Sequence, residues 1–181
     1  ASVIDKNHVL CGDETYECDN LLLCTGSETF IPPIPGVDTV PYWTHRDALD
    51  NKELPKSLAI IGGGVIGMEF ASFFNSLGVE VTVIEMLDEI LGGMDKELSA
   101  MLRAEYAKRG IQFMLDTKVV ALSEVASGNG DTQQVQVNYE NAEGAGFVIA
   151  ERLLMSVGRR PVTKGFGLEN LNLDKTARGN I

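Results

Sequence analysis

The chain has 181 residues, enough for one full domain and pieces of a second, with 44% hydrophobic and 23% charged residues, the balance of a globular protein. Its formal charge of −11 repels phosphate backbones and argues against nucleic acid, and no apolar run approaches the roughly 20 residues of a membrane span. The first residues lack the regions of a signal peptide. The three cysteines, Cys11, Cys18 and Cys24, have neither disulfide-framework nor zinc spacing, and His8 and His45 are far apart in sequence and at no metal-ligand spacing, so no metal site is expected. This cysteine usage fits a reducing cytoplasm, which is the expected location.

The first thirty residues alternate apolar and polar with turn signals. Val3–Asp5, Val9–Cys11 and Thr15–Cys18 read as short antiparallel strands, with Gly12-Asp13 as a turn. Leu21–Cys24 is a continuous apolar run and reads as a buried strand, ending at Thr25-Gly26-Ser27. Ile31-Pro32-Pro33-Ile34-Pro35-Gly36 holds three of the six prolines and is extended or turning. Thr44 with Asp47 caps a short helical turn near Ala48-Leu49.

From residue 58 strand and helix alternate. Leu58–Ile61 is an apolar strand, Val65–Leu77 a helix stopped by Gly78, and Val79–Ile84 a β-branched strand. Asp95 caps a second helix. Its Leu98, Met101, Leu102 and Tyr106 recur at helical spacing up to Lys108-Arg109-Gly110, and Ile111–Leu115 is a third strand. Then come strands alone: Lys118–Val125, Gln133–Tyr139 and Phe147–Ala150. Ser127-Gly128-Asn129-Gly130-Asp131 and Asn141–Gly146 separate them as hairpin turns. Leu153–Val157 is more apolar and runs into Gly158-Arg159-Arg160-Pro161. Residues 162–181 are loop-rich, without a terminating element.

The chemistry lies between the first two of the alternating strands. Gly62-Gly63-Gly64-Val65-Ile66-Gly67 follows a strand and opens a helix, the context a GxGxxG needs to signal a dinucleotide. Gly62 permits the tight turn, Gly64 lets backbone approach a pyrophosphate, and Gly67 lets the helix pack close. The helix N-terminus then offers free N–H donors and its positive dipole end. Glu85 lies 18 residues after Gly67, at the end of the second strand, where its carboxylate can accept from both ribose hydroxyls. It would repel a 2′-phosphate, and Met86-Leu87-Asp88-Glu89 brings no lysine or arginine to neutralise one. These features favour NAD over NADP; FAD presents the same ribose and pyrophosphate and stays open on this ground alone. Glu69, in the first helical turns, reads equally as a complement to the helix dipole or as a site residue.

The run Ala59-Ile60-Ile61-Gly62-Gly63-Gly64-Val65-Ile66-Gly67-Met68-Glu69 resembles the NAD segment of the flavoprotein disulfide reductases with two dinucleotide-binding domains, the dihydrolipoamide dehydrogenases in particular. Leu23-Cys24-Thr25-Gly26-Ser27 is similar to their second FAD motif, with Cys24 in place of alanine. Asp88-Glu89-Ile90-Leu91, Met94-Asp95-Lys96-Glu97, Val157-Gly158-Arg159-Arg160-Pro161 and Gly167-Leu168-Glu169 extend the likeness along almost the whole chain. The resemblance implies an α/β fold: a Rossmann-like βαβαβ parallel sheet with an antiparallel three-stranded β-meander, flanked by partial FAD-domain segments. It divides the chain into a partial FAD-domain segment at 1–36, a connection at 37–55, an NAD-binding domain at 56–161 and the start of a return to the FAD domain at 162–181.

The resemblance implies the following roles, residue by residue. Gly62, Gly63, Gly64, Val65, Ile66, Gly67, Met68 and Glu69 line the pyrophosphate and nicotinamide side of NAD, with Glu69 near the nicotinamide ribose. Glu85 holds the adenosine ribose, Val119 touches the adenine, and Gly158 approaches the nicotinamide. Thr25, Gly26 and Ser27 contact FAD. The implied enzyme oxidises dihydrolipoamide through a redox disulfide and FAD and reduces NAD⁺, as a homodimer serving 2-oxoacid dehydrogenase complexes. Its Cys-x4-Cys pair and its His-x4-Glu acid/base pair have no counterpart here: six and five residues separate the three cysteines. The expectation is an internal piece that binds NAD(H), carries no catalytic residue and turns nothing over by itself. NADH oxidases and other pyridine-nucleotide disulfide reductases share such a domain, and a stand-alone nucleotide-binding module is the alternative of another class.

Overall fold

The computed structural model describes residues 1–126, 133–177 and 179–181; the expected turn at Ser127–Asp131 lies outside the described residues. In chain order the elements are β1 (Ser2–Val3), β2 (His8–Cys11), β3 (Glu14–Glu17), β4 (Ser27–Thr29), α1 (His45–Asp50), β5 (Ser57–Ile61), α2 (Val65–Ser76), β6 (Glu80–Ile84), α3 (Lys96–Lys108), β7 (Gln112–Met114), β8 (Lys118–Ala126), β9 (Gln133–Asn141), β10 (Gly144–Ala150), β11 (Arg152–Met155) and β12 (Arg159–Pro161), with a 3-10 turn at Leu168–Leu171. The mixed α/β architecture is the expected one. No helix among the described residues is long and apolar enough to cross a membrane. The chain forms two compact units, Thr29–Gly158 and Ala1–Glu28 with Arg159–Ile181.

The larger unit is built on a parallel sheet in the order β11-β5-β6-β7. Parallel neighbours need a crossover, and α2 and α3 supply two of them. Residues successive along a strand point to opposite faces. Leu58, Ile60, Val81, Val83 and Leu154 therefore face the helices, in one buried cluster with Ala48, Met68, Ala71, Phe74, Ile90 and Ile111. Ala59, Ile61, Ile84, Leu153 and Met155 face the other way, onto Leu122, Val135 and Val137 of the antiparallel meander β10-β9-β8. A sheet covered on both faces requires apolar residues at every position, which is why its strands read as continuous apolar runs rather than alternating ones. The stretch 37–55 also belongs to these cores: Val37, Val40 and Ala48 are buried, and Trp43 pairs with β11 through Trp43 N–H to Leu153 O at 2.7 Å and Met155 N–H to Trp43 O at 2.9 Å.

Local chemistry accounts for the helix ends. Thr44 and Asp47 form a capping box at α1, with the Thr44 N–H donating to Asp47 Oδ2 at 2.7 Å. These bonds hold the Asp47 carboxyl below its ordinary range. The Asp95 carboxylate accepts from Glu97 N–H at 2.9 Å to start α3. The hairpin between β9 and β10 is tight, with Asn141 Oδ1 accepting from Glu143 N–H at 3.0 Å.

The inward face of α3 differs from the expected one. Leu98 and Met101 are 60% and 64% exposed, whereas Ser99 is buried and Leu102 and Tyr106 pack on the core. Ser99, Leu102 and Tyr106 form the i, i+3, i+7 stripe next to the one that Leu98 and Met101 share.

In the smaller unit, β1, β2 and β3 form the expected antiparallel sheet, with Gly12 at the turn. Val3 is pinned by its N–H to Phe166 O at 2.7 Å and by Asn170 Nδ2 donating to Val3 O at 2.8 Å, beside the buried Leu168. Leu21–Cys24 is not the expected buried strand: it lies outside every strand, and Leu22 is 85% exposed. An apolar run becomes a strand only where another edge supplies N–H and C=O partners, and none of the described strands pairs with it.

Phe74 is the most voluminous of the fully buried side chains, ringed by Trp43, Phe70 and Phe73 at centroid distances of 5.9, 6.2 and 5.2 Å. Truncation leaves a cavity that rigid neighbours cannot close. Phe74→Ala should lower unfolding free energy by about 3–5 kcal/mol in urea titration followed by circular dichroism.

Candidate dinucleotide site

The glycine loop is shaped by what surrounds it. Gly62 has φ +103°, and a Cβ on it would lie 2.6 Å from Ser156 O. A Cβ on Gly67 would lie 2.1 Å from Gly62 O and 2.8 Å from Ser156 Oγ, so α2 packs against the loop at a distance only glycine allows. At Gly64 the same construction meets nothing within 4 Å. Gly64 is also the N-cap of α2, without a side-chain cap, and the first N–H groups of a helix have no intrahelical acceptor. Crowded on the inside and open at Gly64, the loop offers oriented donors to an anion.

Glu85 follows β6 and is half-buried. Its Oε2 accepts from Gly63 N–H at 2.6 Å and its Oε1 from Leu87 N–H at 2.8 Å. The carboxylate thus holds the glycine loop as well as facing it, a role the sequence did not disclose. Four acceptor positions on a carboxylate leave two free for hydroxyl donors. The Glu85 backbone is fixed in turn, its N–H donating to Met114 O at 2.8 Å and its carbonyl accepting from Thr117 N–H at 2.9 Å. Val119, two residues beyond Thr117, is half-buried against the meander core beside a β-bulge. Val65 is exposed, Met68 is buried on the inward side of α2, and Gly158 has φ +129° with nothing within 4 Å of where a Cβ would stand.

Glu69 is placed differently from the loop residues. It is exposed and lines an apolar groove of about 340 Å³ with Ala48, Leu49, Phe70, Phe73 and Phe74. None of Gly62 to Met68 lines that groove, so it is a depression distinct from the glycine loop.

In the smaller unit, Thr25, Gly26 and Ser27 are tied to the strand after Gly158. Thr25 Oγ1 donates to Val162 O at 2.7 Å, Val162 N–H donates to Gly26 O at 3.0 Å, and Arg159 Nε donates to Ser27 Oγ at 2.8 Å.

Tertiary structure also changes the charge around residues 86–91. The local sequence there has no cation, but α3 brings two. Arg103 grips Glu89 with Nε to Oε1 at 2.8 Å and Nη2 to Oε2 at 2.9 Å, and Lys96 pairs with Asp88. Both cations are engaged by these carboxylates. The pair holds the half-turn 89–91 in place, and Leu91 N–H donates to Gly63 O at 2.8 Å from a backbone with φ +55°. Sequence reading also missed Ser156, 8% exposed, whose hydroxyl lies 2.8 Å from Gly62 O and 3.0 Å from Ile61 O. The available signal was a polar residue between the apolar run Leu153–Met155 and Gly158.

The family described as pyridine nucleotide-disulphide oxidoreductase matches residues 1–181. The chain belongs to this family. Among similar proteins of this oxidoreductase family is the dihydrolipoamide dehydrogenase of Chaetomium thermophilum, 41% identical over 175 residues, covering 94% of this chain and 33% of that protein. The mitochondrial dihydrolipoyl dehydrogenase of Homo sapiens is 36% identical over 177 residues, again 94% of this chain and 33% of the relative. The chain therefore spans about a third of the length of these relatives. Among solved structures, the HOCl-induced flavoprotein disulfide reductase RclA from Escherichia coli superposes with a TM-score of 0.84 at 30% identity, covering 98% of this chain and 39% of that one.

Two outcomes test the geometry of this site. Gly67→Ala drives a methyl into the Gly62 carbonyl and should cost about 1–3 kcal/mol, read as a lowered melting temperature. The hydrogen bonds from Arg103 hold the Glu89 carboxyl below its ordinary range. A depressed folded-state pKa adds stability above the unfolded value and loses it as pH falls through the folded one. Urea midpoints should therefore fall below about pH 4, and Glu89→Gln should flatten that acid limb.

Proposed function

We propose that the loop from Gly62 to Gly67 and Glu85 bind NAD(H), and that this chain provides the nicotinamide-nucleotide site of a dihydrolipoamide dehydrogenase. The observation that carries the reading is the pairing of an open Gly64 with a carboxylate anchored on the same loop. The residues fit the nucleotide. N–H groups at the start of α2 would take the pyrophosphate, and crowding at Gly62 and Gly67 keeps them aimed outward. The two unused acceptor positions of Glu85 would take the ribose 2′- and 3′-hydroxyls. A 2′-phosphate at that point would meet a carboxylate, while Lys96 and Arg103 are engaged by Asp88 and Glu89. NAD, when bound, supplies the hydride-accepting nicotinamide.

In this reading residues 56–161 are the NAD-binding domain. Val119 borders the adenine and Gly158 lies toward the nicotinamide; Glu69 is assigned to the nicotinamide ribose although it lines a groove that the glycine loop does not share. Thr25, Gly26 and Ser27 contact FAD. The overall reaction is dihydrolipoamide plus NAD⁺ to lipoamide, NADH and a proton, carried by a homodimeric enzyme of a 2-oxoacid dehydrogenase complex. The 41% identity to a dihydrolipoamide dehydrogenase supports this assignment over another flavoprotein disulfide reductase, for which the 30% identity to RclA is the supporting observation.

Isothermal titration with NADH and NADPH decides the cofactor. NADH is expected to bind at least about tenfold more tightly, the value of one lost favourable contact, and Glu85→Gln to erase most of that preference. Equal or tighter binding of NADPH by the unmodified chain would overturn the assignment.

A further inference from the structure

The hydroxyl of Ser156 stands where three elements meet: the end of β11, the Gly62 turn and the start of α2. Its neighbours decide what the hydroxyl does. The Ser156 N–H already donates to Ile61 O at 2.9 Å, which serves the first of the two nearby carbonyls. The hydroxyl has one proton, and its shorter contact, 2.8 Å, is to the other, Gly62 O.

The Gly62 carbonyl shares a planar peptide with the Gly63 N–H. In a trans peptide these two groups point in opposite directions. One edge of this plane is held by Ser156 Oγ, just after β11; the other is held by Glu85 Oε2, which accepts from Gly63 N–H at 2.6 Å. Rotation of the plane toward or away from one partner displaces it from the other. The next carbonyl, Gly63 O, is held by Leu91 N–H at 2.8 Å, so the plane cannot relax by sliding along the loop.

We infer that Ser156 is a positioning residue for cofactor selectivity: by fixing the Gly62–Gly63 peptide it fixes the carboxylate of Glu85 in the orientation that accepts a ribose and rejects a 2′-phosphate. The inference deepens the NAD(H) reading and rests on it. The hydroxyl touches no cofactor in this account. It acts through one peptide plane, and its effect falls on discrimination between nucleotides.

The test is a double-mutant cycle on the full chain, with Ser156→Ala, Glu85→Gln and both, titrated with NADH and with NADPH. Ser156→Ala is expected to lower the NADH-over-NADPH preference about tenfold, and to change it little further when Glu85 is already Gln, because the two groups act on one plane. A purely packing role would lower stability and leave the preference unchanged. Ser156→Cys fills the site instead of emptying it but offers only a weak S–H donor, and should behave like Ser156→Ala in selectivity. Should the alanine variant not fold, the cysteine variant decides. An unaltered preference in a folded variant, or additive effects in the cycle, would overturn the role of Ser156. Failure of the unmodified chain to prefer NADH would instead overturn the cofactor reading itself, so the two failures are distinguishable.

Discussion

The contact between the start of α2 and the turn at Gly62 sets the geometry of everything around it. With no Cβ on Gly67, the helix reaches the carbonyl of Gly62 at a distance that even alanine would prohibit. That approach directs the helix N-terminus toward the end of β5 and leaves Gly64 in open space. It also brings the glycine loop within reach of β6 on one side and β11 on the other. Glu85 and Ser156 can hold the loop only because the helix sits this close.

The loop is consequently a part of the sheet rather than an appendage to it. Gly62 N–H donates to Ile84 O, continuing the pairing of β5 with β6, while Ser156 N–H donates to Ile61 O, continuing the pairing with β11. Three parallel strands thus converge on one turn, and their burial between helices and meander restrains that turn from moving. Such rigidity suits the proposed binding of a pyrophosphate, since donors already in place lose little entropy on binding.

Charge is arranged on the same principle. The acidic segment after Glu85 is satisfied by residues of α3, through the bidentate grip of Arg103 on Glu89 and the pairing of Lys96 with Asp88. Glu85 is satisfied by backbone N–H groups instead. A carboxylate held by neutral amides keeps spare lone pairs, which suits hydroxyl recognition. A carboxylate held by arginine is committed to structure.

Much of this was legible in the residues themselves. Continuous apolar runs, glycine spacing and the caps at Thr44 and Asp95 are local features, and local features determine where strands, turns and helices begin. The acidic residue closing the second strand was likewise readable, because strand length and loop position restrict where it falls. The face of α3 was not, since Leu98 and Leu102 have equal apolar character and only the packing direction separates an exposed stripe from a buried one. Leu21–Cys24 failed for a related reason: a strand needs an edge to pair with, and apolarity does not provide one. Sequence by itself determined the alternating strand–helix order, the glycine turn and the identity of its acidic partner. Only the tertiary structure decided that Glu85 grips the loop, that Arg103 and Lys96 are engaged, and that Ser156 lies beneath Gly62. These hydrogen bonds join residues 8, 14, 22 and 94 positions apart, and they depend on strand order and side-chain direction, which no local pattern encodes.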